Sequence, residues 1–207
     1  MDLETTDKNP NTAEMLTAYL RTRTLNDFEI IDDLHLTFRP EMYLHESYSI
    51  HKISREESNM FNDKWDSLRK LLNYMRLHKD GLFCCHANHL VFGAYGYFDQ
   101  QVIRQVCSSQ SREAYLWYLR QKFRWISTHT IAKSSMYLPN YGLDNVASYF
   151  GFDFNHHDCK SDVEVTEKIF KEMVSLDITK EELINLGDYK NGSNKRNGEQ
   201  SQTKLEI

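Results

Sequence analysis

The chain has 207 residues, 40% of them hydrophobic and 27% charged, with a mean hydropathy of −0.64. That length suits one domain with its own core, and 8 Gly with 3 Pro exclude collagen-like and proline-rich classes. The formal charge of −5 argues against a protein that coats nucleic acid through clustered Lys and Arg, but not against a site that draws phosphate through bound cations.

Nothing approaches the roughly 18 consecutive apolar residues of a membrane span, so no membrane partner is expected. The start, Met1-Asp2-Leu3-Glu4, lacks the apolar stretch of a secretory signal. Cys84, Cys85, Cys107 and Cys159 show no C-x-x-C spacing, which predicts neither a zinc ribbon nor a disulfide scaffold. Cytoplasmic residence is the simplest expectation.

Two β-prone runs come first, Met15 to Leu20 and an alternating run through Phe28, Ile30, Leu34, Leu36 and Phe38. Asn26-Asp27 suits a turn between them, predicting a hairpin that Arg39-Pro40 ends. Ser54 with Glu56 and Glu57 reads as a helix start. Phe61, Trp65, Leu68, Leu71, Leu72 and Met75 then recur every three or four residues, giving one apolar helical face. Leu82 to Cys85 suits a buried strand. Helices are predicted for Phe98 to Val106 and Arg112 to Phe123, then a strand from Trp125 to Ile131. Helices over Leu143 to Phe150 and Asp162 to Leu176 complete a mixed α/β domain over residues 1–187. Residues 188–207 are polar, with almost no apolar content, and read as a disordered tail.

Three acidic clusters carry candidate chemistry. In an extended strand Asp2 and Glu4 point to the same face, where like charges repel unless a cation lies between them; the alternative is a solvated chain end. Asp99 opens a helix, as an N-cap or as a ligand. His157 and Asp162 are five apart across a loop-to-helix junction, where Ser161 or Asp162 could instead cap the helix. His156 competes with His157, and Asp158 reads as solvated. Residues 112–125 interleave Arg112, Arg120, Lys122 and Arg124 with Tyr115, Trp117, Tyr118, Phe123 and Trp125, which suits either base stacking or a core.

Together, and in this order, the clusters resemble the motifs of the DEDDh (DnaQ-like) 3′→5′ exonucleases. Asp2-Leu3-Glu4-Thr5-Thr6 resembles the first motif, Tyr97-Phe98-Asp99 the end of the second, and His157 through Asp162 the third. Phe38-Arg39-Pro40, Ile50-His51-Lys52-Ile53-Ser54, and Tyr141 through Ala147 with Phe150-Gly151 resemble the connecting segments. Within the family the chain resembles the ε proofreading subunits of bacterial DNA polymerase III.

The resemblance implies an RNase H-like fold, a mixed central sheet flanked by helices. It also implies two divalent ions, Mg²⁺ or Mn²⁺. Asp2 would bridge them, Glu4 and Asp162 would hold the first, and Asp99 would serve the second, partly through water. His157 would be the general base, and Leu3 and Thr5 would flank the bound base. The implied partners are 3′ ends of single-stranded DNA, or of RNA as in the RNase T and oligoribonuclease relatives, and a polymerase subunit. A catalytically impaired binding protein on the same fold is the alternative of another class.

The chain departs from the pattern twice. Only Met1 precedes Asp2, where the family has apolar residues, so a start further upstream or a shortened first strand is expected. Ala94 and Tyr95 stand where the family has His-Asn; His86-Ala87-Asn88 lies upstream, as if an insertion divided that motif. Gln202 through Leu205 resembles, faintly, the peptides that dock on sliding clamps.

Overall fold

The structure, a computed structural model, describes residues 1–23, 29–79, 91–94, 96–120 and 124–174. The turn expected at Asn26-Asp27, the strand expected at Leu82 to Cys85, His86-Ala87-Asn88 and the tail lie outside these residues.

Strand β1 (Asp2–Thr5) pairs antiparallel with β2 (Met15–Arg23), which pairs antiparallel with β3 (Ile30–Thr37). β4 (Val91–Ala94) and β5 (Arg124–Ser127) pair in parallel. Among the described residues the expected mixed sheet is present as two ladders, one antiparallel and one parallel. Around the strands stand α1 (Tyr48–His51), α2 (Arg55–Asn59), α3 (Lys64–Lys79), α4 (Phe98–Gln110), α5 (Arg112–Arg120), α6 (Thr128–Ser135), α7 (Leu143–Tyr149) and α8 (Cys159–Val174).

Strand alternation divides the β1–β2 ladder into two faces. One face turns Leu3, Ala18 and Leu20 into a core with Leu68, Leu71 and Met75 of α3 and Val102 and Ile103 of α4. The other face carries Asp2, Glu4, Thr17, Tyr19 and Arg21, and α8 lies over it, placing Cys159 and Val163 against Tyr19. A second core joins α6, α7 and α8 through Ile131, Val146, Ala147, Val165 and Ile169. Burying each such Leu or Ile contributes about 1.5–3 kcal/mol.

Several boundaries differ from the sequence reading, each for a local reason. The helix expected to run on from Ser54 is two helices. Ser54 caps α2, its Oγ accepting the Glu57 N–H at 3.0 Å. The chain then breaks, and Asp63 starts α3 by accepting the Trp65 and Asp66 N–H groups. The strand expected through Ile131 stops at Ser127, whose hydroxyl accepts the Thr130 N–H and turns the chain into α6. α8 begins at Cys159 rather than Asp162, because Asp158 accepts the Ser161 N–H at 2.8 Å. Of the aromatic run in 112–125, Tyr118 is buried and Trp117 packs on the first core, so these rings face inward; Lys122 and Phe123 lie outside the described residues.

Candidate active site

The acidic face of β1 and the first turn of α8 form one wall of an open cleft of about 1220 Å³. Asp2 and Glu4 reach it from β1, opposite Tyr19 and Thr17 of β2. A register shift between Glu4 and Thr5 bends the strand there, a device common beside active sites. Asp99 enters from the first turn of α4. It is not the cap: Tyr97 holds that position, and Asp99 is 7% exposed. Asp162, 4% exposed, enters from the first turn of α8.

The loop that delivers α8 is held at both ends. α7 closes on Gly151, whose φ of 74° only glycine adopts freely, with Phe152 N–H bonded back to the Ala147 carbonyl. His157 then takes a φ of 67°, and its N–H donates to Asp162 Oδ2 at 3.3 Å. That bond fixes the carboxylate and turns the imidazole into the cleft. His156 stacks on His157 with ring centroids 3.8 Å apart, and its Nδ1 lies 3.5 Å from Asp162 Oδ1.

The electrostatics are those of carboxyls crowded together away from water. Burial pushes Asp2 up to about 7, and the nearby Asp162 adds to it. Burial, then the neighbouring Asp2, Asp162 and Asp99, push Glu4 up to about 9. Burial holds Asp162 at about 7, with the His157 N–H opposing the rise, and Asp99 is pushed well above the usual carboxylate range by burial and Asp2. Glu4 is only 8% exposed, yet its carboxylate accepts no hydrogen bond among the described residues. Buried oxygen donors with excess negative charge fit hard divalent cations such as Mg²⁺ or Mn²⁺, whose charge would reverse every one of these shifts. Burial, and then the stacked His156, lower His157 from the ordinary imidazole value, which disfavours its charged form.

Asp2, Leu3, Glu4, Thr5, Asp99, His157 and Asp162, all singled out in the sequence, therefore line a single cleft. Leu3 does so while its side chain also joins the core, and the Thr5 hydroxyl donates to the Asp7 carbonyl at 2.8 Å. Two residues at the site were not singled out as functional from the sequence. Cys159 puts its thiol within 4.8 Å of the Asp2 and Glu4 oxygens. His51 lines the same cleft, 6% exposed; its Nδ1 accepts the Ile53 N–H at 3.0 Å, and burial with nearby His157 lowers it to about 4. The connecting segment around His51 was legible, but not the direction of its ring.

No protein-family model matches the sequence, and no curated protein matches it. Solved structures do match in three dimensions. The nuclease domain of 3′hExo, a DEDDh family member bound to rAMP, is similar with a TM-score of 0.65 at 19% identity, over 84% of this chain and 89% of that one. Cell-death related nuclease 4 gives 0.60 at 12% identity, over 85% of this chain and 62% of that one. E. coli exonuclease I in complex with a 5cy-dA13 oligonucleotide gives 0.63 at 16% identity; 91% of this chain is covered but only 41% of that one. At these identities the likeness establishes the fold, the RNase H-like α/β fold of DEDDh 3′ exonucleases. Among the described residues no helix is long and apolar enough to cross a membrane.

Proposed function

We propose that the chain is a DEDDh-type, divalent-metal-dependent 3′→5′ exonuclease that releases nucleoside monophosphates from single-stranded DNA ends. One observation carries this reading. Four carboxyls from three separate elements (Asp2 and Glu4, Asp99, Asp162) meet in one open cleft with the imidazole of His157 and, among the described residues, no arginine or lysine paired to them. Fold likeness to 3′ exonucleases supports it.

In this reading Asp2, Glu4 and Asp162 would hold one divalent cation, and Asp99 together with Asp2 would hold a second. Bound there, the ions would supply positive charge against that building on the phosphodiester oxygens. His157 takes a proton from the water whose oxygen attacks phosphorus, the P–O3′ bond breaks, and the departing 3′ oxygen gains a proton. Leu3 and Thr5 flank the terminal base. The Asp162–His157 backbone bond keeps base and ligand in fixed relation. Proofreading beside a polymerase, cytoplasmic residence and the choice between Mg²⁺ and Mn²⁺ belong to the same proposal.

RNA 3′ ends are the second substrate reading. It is favoured by the rAMP bound to 3′hExo and by the histone mRNA stem-loop recognised by the similar 3′-exonuclease. The test is 5′-labelled single-stranded DNA and RNA incubated with wild type or Asp162→Ala, in Mn²⁺ or EDTA. A metal-dependent ladder lost in the variant is the expected result, and the strand degraded faster names the substrate class. Intact strands after incubation with demonstrably folded wild type would overturn catalysis in favour of a binding protein.

A further inference from the structure

One donor buried beside the cleft has no part in that chemistry. Cys159 opens α8 beneath the β1 carboxylates, 4% exposed, with its Sγ 3.0 Å from Thr17 Oγ1. Its Sγ, one Asp2 oxygen and one Glu4 oxygen all lie within 4.8 Å of one another. Donors around a tetrahedral ion of zinc size stand about 3.5 Å apart, given metal–oxygen and metal–sulfur bonds of roughly 2.0–2.3 Å. Glu4, 8% exposed, lines the cleft with a carboxylate that meets no hydrogen-bond donor among the described residues, which leaves its oxygens available to an ion. The other free cysteine described, Cys107, is buried in the apolar core beside Val102 and Ile103 and has no such neighbours.

We propose that Asp2, Glu4 and Cys159 form a binding site for a thiophilic divalent cation, of the Zn²⁺ or Cd²⁺ kind, which silences the cleft by occupying carboxylates that the harder ions need. Oxygen donors alone select Mg²⁺ or Mn²⁺; adding sulfur shifts preference toward softer ions. Binding forms a metal–sulfur bond, and the thiol proton leaves to solvent. Silencing rests on the exonuclease reading, whereas binding does not.

The test titrates Cd²⁺ into the full chain and follows the ultraviolet charge-transfer band of the cadmium–thiolate bond. Cys84, Cys85 and Cys107 contribute alike to wild type and Cys159→Ala, so the difference isolates Cys159. Wild type should show one more cadmium–thiolate bond per chain than either Cys159→Ala or the similarly sized Cys159→Ser, all three folded by circular dichroism. Glu4→Gln, with the thiol intact, should weaken that bond about tenfold or more. Equal bands in wild type and both Cys159 variants would overturn the site, and so would a Glu4→Gln protein that binds as tightly as wild type. If the chain degrades nucleic acid in Mn²⁺, half-inhibition of Cys159→Ala should take at least about tenfold more Zn²⁺ than wild type. If it degrades none, the cadmium band still decides the binding site by itself.

Discussion

The α8-facing side of the β1–β2 ladder holds two groups of acids that differ in one respect. Toward the cleft stand Asp2, Glu4 and, from α8, Asp162, with no arginine or lysine among the described residues paired to them. Further along the same strand face, Arg21 meets Glu164 at 2.9 Å and Glu167 at 3.4 Å, and Arg23 meets Glu167 at 2.7 Å. The Tyr19 hydroxyl bridges this group, accepting from Arg21 and donating to Asp33. The same helix therefore carries carboxylates whose countercharge is built in, and others whose countercharge must come from solution. Only the second kind can respond to a ligand, and only the first holds the helix to the sheet unaided.

The sharpest way to break this contrast is Glu4→Gln, which keeps the shape and removes a charge. Activity should fall on the order of 10²–10³-fold, as expected for losing a group aimed at developing charge. The metal-free protein should nonetheless melt at or above the wild-type temperature, because near neutral pH Glu4, held at about 9, must take up a proton on folding and Gln need not. A variant that melts lower would mean that Glu4 serves the fold. Arg21→Met should do the opposite. It leaves Glu164 and Glu167 with less compensation, and since Glu164 is 41% exposed the loss should be modest, about 1–2 kcal/mol in a denaturant titration. Activity per folded molecule should change little.

Smaller in effect, but directed at the whole cluster, is pH. Asp2 and Asp162 sit at about 7 and Glu4 at about 9, all above their ordinary values, so the folded chain holds protons that the unfolded chain has released. The stability tied to their neutral forms is fully present near pH 4 and is lost as pH rises through 7 to 9. With EDTA, the melting temperature should fall by several degrees between pH 5 and 8, and Mn²⁺ should restore more of it at pH 8 than at pH 5. A flat metal-free profile would show that the carboxyls are not crowded as described.

What was legible in the sequence follows the same division. Asp2, Glu4, Asp99, His157 and Asp162 could be picked out because strand alternation and helix starts are local facts, and residue type announces charge. The β2–β3 hairpin strands and helices α4, α5 and α7 were visible through periodicity for the same reason. Cys159 was not, since its meaning comes from lying across from Thr17 and Asp2, residues over 140 positions away in the chain. The stop at Ser127 was missed because a hydroxyl that ends a strand by capping the next helix looks, in sequence, like any serine in a β-prone run.

The bare register of β1 against β2 has one more consequence. Asp2 and Glu4 are placed by pairing with Tyr19 and Thr17, that is, by main-chain hydrogen bonds that nearly any side chain would permit. Their separation from Asp162 is likewise set by where a helix axis lies. Residue identity is thus essential at a handful of positions, while elsewhere only shape is required and spelling is free. A chain built this way can keep the outline of its structural relatives at 12–19% identity while no family model matches its sequence.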